Sequence, residues 1–239
     1  MQKNPISQSL LPNYNTTGDI ALKNQNTLRR IVGTLGMLLP LFIYLFLQVT
    51  DNFDPTLPSI SHYYFTRSAS FFEIIVSLLA IFLLIYKGEE SIDYILSSLA
   101  GISALLMLIF PTNNLKHLAD GKFDVVAVTF FMQSEFRPKL HYGCAAIFLL
   151  CLAAMSLFLF TKSKNYRTKR KRIRNGIFRT CGLIMIAALL VAFFGFLKVI
   201  NEDFYNSHNL TFWMETVSVE AFGFSWMVKG GVIFADKKE

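Results

Sequence analysis

The chain has 239 residues, of which 53% are hydrophobic and only 16% are charged. Soluble domains carry about 25% charged residues, so this composition argues against a soluble enzyme and favours a protein embedded in lipid. The formal net charge of +7 would suit a nucleic-acid partner, but in a membrane protein the distribution of Lys and Arg matters more than their sum, and we expect no nucleic acid to bind. The three cysteines fall inside apolar blocks and indicate no disulfide framework.

Long apolar blocks follow one another along the chain. About 20 apolar residues are enough to cross the hydrocarbon core of a bilayer, which is roughly 30 Å thick. The blocks predict an all-α polytopic membrane protein, a bundle of six transmembrane helices at about residues 31–49, 69–86, 92–111, 140–160, 177–200 and 211–234. These spans form one membrane domain, residues 29–235, between a polar tail at 1–28 that we expect to be disordered and a short tail at 236–239.

The connections between these spans differ in length. The turn at 87–91 is so short that the second and third spans must form a tight antiparallel hairpin. The connection between the third and fourth spans is long and includes an apolar run at 123–132. Because this run is too short to cross a bilayer, we predict that it lies at the interface or re-enters the membrane and covers the bundle.

Lys and Arg are distributed unevenly between the two sides of the six spans. With the N-terminus inside, 17 of them lie on the cytoplasmic side and 6 on the other. Cytoplasmic loops carry an excess of Lys and Arg, so we predict that both termini are cytoplasmic. The largest share lies in the 162–174 loop, which serves as a topological anchor or binds anionic lipid head groups, since each basic residue near a negative leaflet contributes about 1 kcal/mol.

The same topology puts every histidine on the outer side: His62, His117, His141 and His208. Most acidic residues lie on that side too, and an ionisable group inside a membrane usually faces a cavity or a partner because burying it in lipid is costly. We therefore predict a polar outer vestibule. Its candidate ligand-binding residues are Tyr63, Tyr64, Glu73, Glu215 and Glu220.

Two kinds of chemistry are compatible with these residues. His62, His141 and Glu215 would bind zinc if the fourth and sixth spans adjoin, since a catalytic zinc site needs about three such ligands and an open position. No HxxxH, HExxH or CxxC pair supports this, and the alternative is that the histidines hydrogen-bond to neighbours or water. Ser61 stands next to an imidazole in the sequence, but adjacent positions do not make a catalytic triad.

The aromatic residues of the outer loops have a simpler interpretation. Tyr63, Tyr64 and Phe65, like the pair at 212–213, suit an aromatic belt at the outer membrane surface, and Trp226 would have that position on the inner side.

Four stretches, at 58–66, 110–112, 141–146 and 215–230, resemble a family of bacterial six-helix membrane proteins of unknown function. The resemblance covers about residues 31–231 and implies a place in the bacterial cytoplasmic (inner) membrane. It also implies that functional positions are Tyr63, Tyr64, Thr66, His141, Glu215, Ser225 and Lys229; His62 and Glu220 match no element of the family. A more distant similarity is to the superfamily of alkaline ceramidases and progestin-receptor-like proteins. Its hydrolases hold a metal with His and Asp beside a Ser, but they have seven helices and paired late histidines.

Three functions from different classes therefore remain open. The first is a protein whose outward-facing polar vestibule binds or moves a lipid or small ligand. The second is an intramembrane metal-dependent hydrolase of a lipid amide or ester, with His141, Glu215 and Ser61 as catalytic residues. The third is a structural or signalling partner of other membrane proteins.

Overall fold

The computed structural model describes residues 25–51, 56–88, 90–113, 135–162 and 168–234. Within these ranges the chain is all-α, with no strand. The helices are α1 (Gln25–Asp51), α2 (Ala69–Ile85), α3 (Ser91–Ile109), α4 (Phe136–Ala154), α5 (Lys169–Phe196), α6 (Glu202–Ser207) and α7 (Leu210–Lys229). A 3-10 helix, Ile60–Phe65, lies between α1 and α2, and α4 continues into a π-helical turn, Met155–Leu159.

Four of these helices are long and apolar enough to cross a membrane: α1, α3, α4 with its π-helical turn, and α5. The fifth apolar helix, α2, has 17 residues. Large apolar side chains such as Ile81, Leu183 and Phe196 are exposed on the outside of the bundle, as expected for side chains that face lipid. The protein is therefore a helical, multi-pass membrane protein.

The six long helices form a closed ring. Each of α1 to α4 packs against the next helix in the chain, and α7 closes the ring by packing on both α5 and α1. Successive helices run in opposite directions, so the ring has two ends. We call them the Arg29 end, where α1 begins, and the Ser61 end, where α1 ends and α2 begins.

Close backbone contact between α1 and α7 closes the ring. A Cβ atom on Gly33 would lie 2.7 Å from the Gly223 carbonyl oxygen, and one on Gly223 would lie 2.7 Å from the Gly33 oxygen. Small residues let helix backbones approach in lipid. The Arg30 side chain adds a hydrogen bond of 2.9 Å to the Gly230 carbonyl, so the 215–230 stretch packs against α1 over much of its length.

Trp226 lies at the centre of an aromatic cluster near the Arg29 end. It is fully buried, with ring centroids 5.0 Å from Tyr86 and 5.4 Å from Phe160. Arg29 stacks over the outer face of the cluster at Tyr86, and the Lys229 ammonium lies 5.4 Å from the Phe160 ring. The prediction of an interfacial Trp226 was therefore wrong, because neighbouring helices bury the indole on all sides.

Helix α5 begins earlier than its apolar composition predicted. The structure starts it at Lys169, so the strongly basic stretch 169–174 forms its first two turns and the expectation of a loop there was wrong. Thr168 is the N-cap and accepts a 3.2 Å hydrogen bond from the Lys171 N–H. Arg and Lys are good helix formers, so a basic run following a capping residue continues a helix and does not interrupt it.

The structure describes only parts of the predicted tails and of the long connection between the third and fourth spans. Residues 25–28 were predicted to be disordered, but they form the first turn of α1. The last helix ends at Lys229, five residues before the predicted boundary. Residues 1–24, 235–239 and 114–134, which include His117 and the apolar run, lie outside the described residues.

Candidate functional site at the Ser61 end

Residues 56–66, which we call the crossing segment, cross the Ser61 end of the helix ring. Three apolar side chains anchor it in the bundle, Leu57, Ile60 and Tyr63, each at most 5% exposed. Its backbone is joined to α7, because the Phe212 N–H donates to the Pro58 carbonyl at 3.0 Å. The segment therefore closes this end of the ring from within.

Hydroxyl groups hold the turn from the crossing segment into α2. The Thr66 hydroxyl donates to the Tyr63 carbonyl at 2.8 Å and accepts from the Ser68 N–H at 3.1 Å. The Ser68 hydroxyl in turn donates to the Ile43 carbonyl of α1 at 2.7 Å. Thr66, which the family resemblance marked as functional, thus has a structural role.

His141 and Ser61 form a buried pair. The His141 Nε2 atom lies 2.8 Å from the Ser61 hydroxyl oxygen, and its Nδ1 atom lies 3.0 Å from the Phe110 carbonyl and 3.2 Å from the Met107 carbonyl. Carbonyl oxygens only accept hydrogen bonds. In the neutral imidazole the proton is therefore on Nδ1, and Nε2 accepts a hydrogen bond from Ser61.

Glu215 contacts the same segment from α7. Its Oε2 atom accepts a 2.7 Å hydrogen bond from the Ile60 N–H. Glu215 lies on α7 and His141 on α4, two helices that make only a limited contact with each other. His141 and Glu215 therefore contact neighbouring positions of one 3-10 helix, His141 at the Ser61 side chain and Glu215 at the Ile60 backbone.

These residues do not form the predicted zinc site. In the part of the chain that the structure describes, no three His, Cys, Asp or Glu side chains are grouped so that they could hold a metal ion. His62 pairs with Ser59 instead, with 2.6 Å between its Nδ1 atom and the hydroxyl. The zinc interpretation required spans four and six to adjoin, and α4 and α7 do make a limited contact. The ligands do not converge because each has another partner: His141 pairs with Ser61, and Glu215 accepts from the Ile60 N–H.

Arg137 is a buried member of this region that the sequence interpretation missed. It is 2% exposed, and its guanidinium donates to the Thr112 carbonyl at 3.3 Å and to the Asn113 amide oxygen at 3.1 Å. The Thr112 hydroxyl lies 3.1 Å from the Tyr142 hydroxyl. Arg137 is one of the few basic residues on the predicted outer side. A basic residue on the side that otherwise lacks them was the signal that could have identified it.

The aromatic-belt interpretation was wrong for most of the residues concerned. Tyr63, Phe65 and Phe212 are all less than 5% exposed, and the rings of Tyr63 and Phe212 contact each other at 5.9 Å. Burial raises the pKa of Tyr63 to about 12, and the nearby Leu57 backbone opposes only part of this effect. Trp213 is exposed, as a belt residue would be.

Tyr64 lies at the edge of the site. It is partly buried and packs edge-on against Phe65 and Phe72. Burial raises its pKa, the Glu73 carboxylate raises it further, and the Arg137 guanidinium opposes the shift. Tyr64 is therefore electrostatically coupled to the polar cluster around His141.

The two remaining acidic candidates lie away from this contact network. Glu73 is exposed on the surface of α2. Glu220 is partly buried on α7, one to two turns beyond Glu215, and has no hydrogen bond or ion pair to another described residue. Of the predicted acidic ligands, only Glu215 contacts the crossing segment.

In comparisons with known proteins, no protein-family model, no curated protein and no solved structure matches this chain. The resemblance to bacterial six-helix proteins and the more distant similarity to ceramidase-like hydrolases stay predictions.

Proposed function

We propose that this protein crosses the bacterial cytoplasmic membrane six times and binds the polar part of a lipid, or a small polar ligand, at the crossing segment on its outer side. Two helices, α2 and α7, complete the six spans. At 1.5 Å per residue their 17 and 20 residues reach about 26 Å and about 30 Å. Both belong to the same closed ring as the four longer apolar helices.

The proposed orientation follows from the charges at the Arg29 end. The basic groups that lie at this end are Arg29, Arg30, Lys162, Lys229 and the first turns of α5. Because Lys and Arg accumulate on the cytoplasmic side of membrane proteins, this end is cytoplasmic and the Ser61 end is outside. The basic turns of α5 would then contact anionic head groups of the inner leaflet.

The observation that carries the binding proposal is the convergence of Ser61, His141 and Glu215 on one buried segment. Polar groups are costly to bury in an apolar protein interior. A cluster of buried polar side chains at the Ser61 end therefore favours a functional site there. Two further hydroxyl groups of this region are buried without a hydrogen-bond partner among the described residues, those of Tyr63 and Thr216. Buried polar atoms nearly always have a partner, so a ligand with acceptor oxygens, such as a lipid phosphate or ester group, would complete the site.

These two hydroxyl groups provide the test. We expect the double variant Tyr63→Phe, Thr216→Val to keep its fold, because both substitutions keep the apolar volume of the side chain, and to bind ligand more weakly. Each hydrogen bond contributes about 0.5–1.5 kcal/mol, so the expected loss of affinity is roughly fivefold to a hundredfold. The measurement is native mass spectrometry of the detergent-purified protein titrated with short-chain phosphatidylglycerol and phosphatidylethanolamine.

The matched control is Ser98→Ala on α3, which also removes a buried hydroxyl without a partner among the described residues but lies away from the crossing segment. It should bind the probe lipids like the wild type. Equal affinity in the double variant and the wild type would contradict the proposed site. If neither lipid binds to the wild type at all, the alternative of a structural or signalling partner is favoured.

The metal-dependent form of the hydrolase has less support than the binding site. It requires about three ligands around one metal ion, and the described residues supply no such group. Any hydrolysis at the Ser61 end would have to depend on the Ser61–His141 pair itself.

A further inference from the structure

The orientation of His141 is set by the end of α3. Met107 belongs to the last turn of that helix and Phe110 is its C-cap, and the last carbonyl groups of a helix have no partner within it. Both carbonyls hold His141 Nδ1 at 3.0–3.2 Å. The imidazole therefore cannot rotate freely, and its Nε2 lone pair is fixed toward Ser61.

The same helix end offsets part of the cost that burial and the nearby Arg137 guanidinium impose on a positive charge on the ring. A helix C-terminus carries a partial negative charge and favours a cation close to it. In serine hydrolases a carboxylate has this double role, because it fixes the imidazole tautomer and stabilises the imidazolium that forms when the serine loses its proton. Here the two backbone carbonyls take the place of the carboxylate.

The backbone around Ser61 is held in place on both sides. Glu215 accepts from the Ile60 N–H at 2.7 Å, and the Phe212 N–H donates to the Pro58 carbonyl at 3.0 Å. The Ser61 hydroxyl consequently stays within 2.8 Å of the base, the distance that a nucleophile and its general base require.

From this geometry we infer that Ser61 is a nucleophile activated by His141 in a metal-free acyl transfer, and that the substrate is an ester at the membrane surface. This inference rests on the proposed function, since the ligand of the outer site would be the substrate. His141 lies five residues into α4, about 8 Å along the helix axis. If α4 enters the membrane near its first residue, His141 reaches the ester carbonyls below the lipid head groups.

The reaction balances with water as the only co-reactant. The Ser61 Oγ atom bonds to the ester carbonyl carbon while its proton passes to His141 Nε2. The bond from that carbon to the alcohol oxygen then breaks, and the alcohol leaves with the proton from Nε2. Water attacks the acyl-Ser61, His141 accepts and returns one proton, and a carboxylic acid is released as Ser61 is restored.

The test uses a fluorophosphonate, which labels activated serines, on the full-length protein in mild detergent. We expect a covalent adduct that peptide mass spectrometry places on Ser61 of the wild type, and no change in labelling after treatment with EDTA. Ser61→Ala should lose the adduct. Since general-base catalysis contributes about 10²- to 10⁴-fold, His141→Gln should slow labelling at least a hundredfold.

The chain contains its own control in the second pair on the same segment, Ser59 and His62, at 2.6 Å. Ser59→Ala and His62→Gln should be labelled like the wild type. A folded wild-type protein that forms no adduct, or an adduct at another serine, would overturn the inference without relying on any variant. The wild type itself separates the two proposals. An adduct on Ser61 together with lipid binding supports both, an adduct without lipid binding supports the nucleophile alone, and lipid binding without an adduct supports the binding site alone.

Discussion

The polar residues at the Ser61 end differ in ways that their sequence positions do not reveal. Glu73 and Glu215 both lie about one turn inside a helix, yet Glu73 is exposed while Glu215 holds the Ile60 N–H at 2.7 Å. Ser61 is adjacent to His62 in the sequence, but its hydroxyl pairs with His141, 80 residues away. The residue types of the site were predictable, and their pairing was not, because pairing depends on which helices are opposite each other.

Tyr63 provides a test at the scale of a single side chain. Its phenol is neutral when protonated, and it ionises near pH 10 in the unfolded chain but near pH 12 in the folded protein. Between these values the unfolded state binds fewer protons, so stability falls as pH rises from 10 to 12 and is unaffected below pH 10. A shift of two pKa units corresponds to roughly 3 kcal/mol.

We therefore expect Tyr63→Phe to remove this alkaline loss of stability while changing stability little at pH 8, because the hydroxyl makes no hydrogen bond of good geometry to a described residue. The measurement is the free energy of unfolding in detergent between pH 8 and pH 12. Tyr142→Phe, which alters a tyrosine that is 43% exposed, is the matched control and should keep the wild-type profile. An unchanged alkaline profile in Tyr63→Phe would show that this phenol is not the group that titrates.

The sequence predicted the helix boundaries that coincide with the end of an apolar block. It did not predict a boundary that lies in a charged stretch. The predicted second span, 69–86, and third span, 92–111, agree with α2 and α3 to within two residues. The start of α5 was missed by eight residues, because a basic run was interpreted as a loop although its residues favour helix. Charge places a segment outside lipid but does not end a helix.

The contact between α1 and α7 can be tested with a single methyl group. A Cβ on Gly33 would meet the Gly223 oxygen at 2.7 Å and the Met227 backbone nitrogen at 2.9 Å, so these two backbones must separate. Overpacking of this kind costs about 1–3 kcal/mol. We expect Gly33→Ala to lower the midpoint of thermal unfolding accordingly.

Gly143→Ala on α4 is the control, because a Cβ there would meet no atom within 4 Å. Alanine is the better helix former by about 1 kcal/mol, so this variant should be as stable as the wild type or more so. Equal effects of the two substitutions would mean that helix propensity, and not the α1–α7 contact, determines the outcome.

Across the whole molecule, the ring separates two chemically different ends. The Ser61 end contains His62, His141, His208 and Glu215, while cations and aromatic rings meet at the Arg29 end. The sequence interpretation grouped the same residues on the same sides, because the alternation of long apolar helices determines the side of each connection. Whether all six helices cross the membrane depends on α2 and α7.

Cysteine accessibility tests these two helices directly. We expect Arg67→Cys and Ser207→Cys to react with a membrane-impermeant maleimide in intact cells, and Ser91→Cys and Val232→Cys to react only after permeabilisation. These positions are exposed and flank α2 and α7, while the three native cysteines are buried. Labelling of positions 67 and 91 from the same side would show that α2 does not cross the membrane. Labelling of positions 207 and 232 from the same side would show the same for α7.

The sequence by itself determined that this is a helical membrane protein, where most of its helices lie and which residues share an end. These properties depend on hydrophobic length and on the order of segments, which are local or follow from simple alternation. Only the tertiary structure decided that residues 56–66 turn into the ring, bury Tyr63 and bring Ser61 to His141 and Ile60 to Glu215. The physical reason is that these contacts join residues that lie 80 and 155 positions apart in the chain, and nothing in the spacing of one helix specifies its partners in a closed ring.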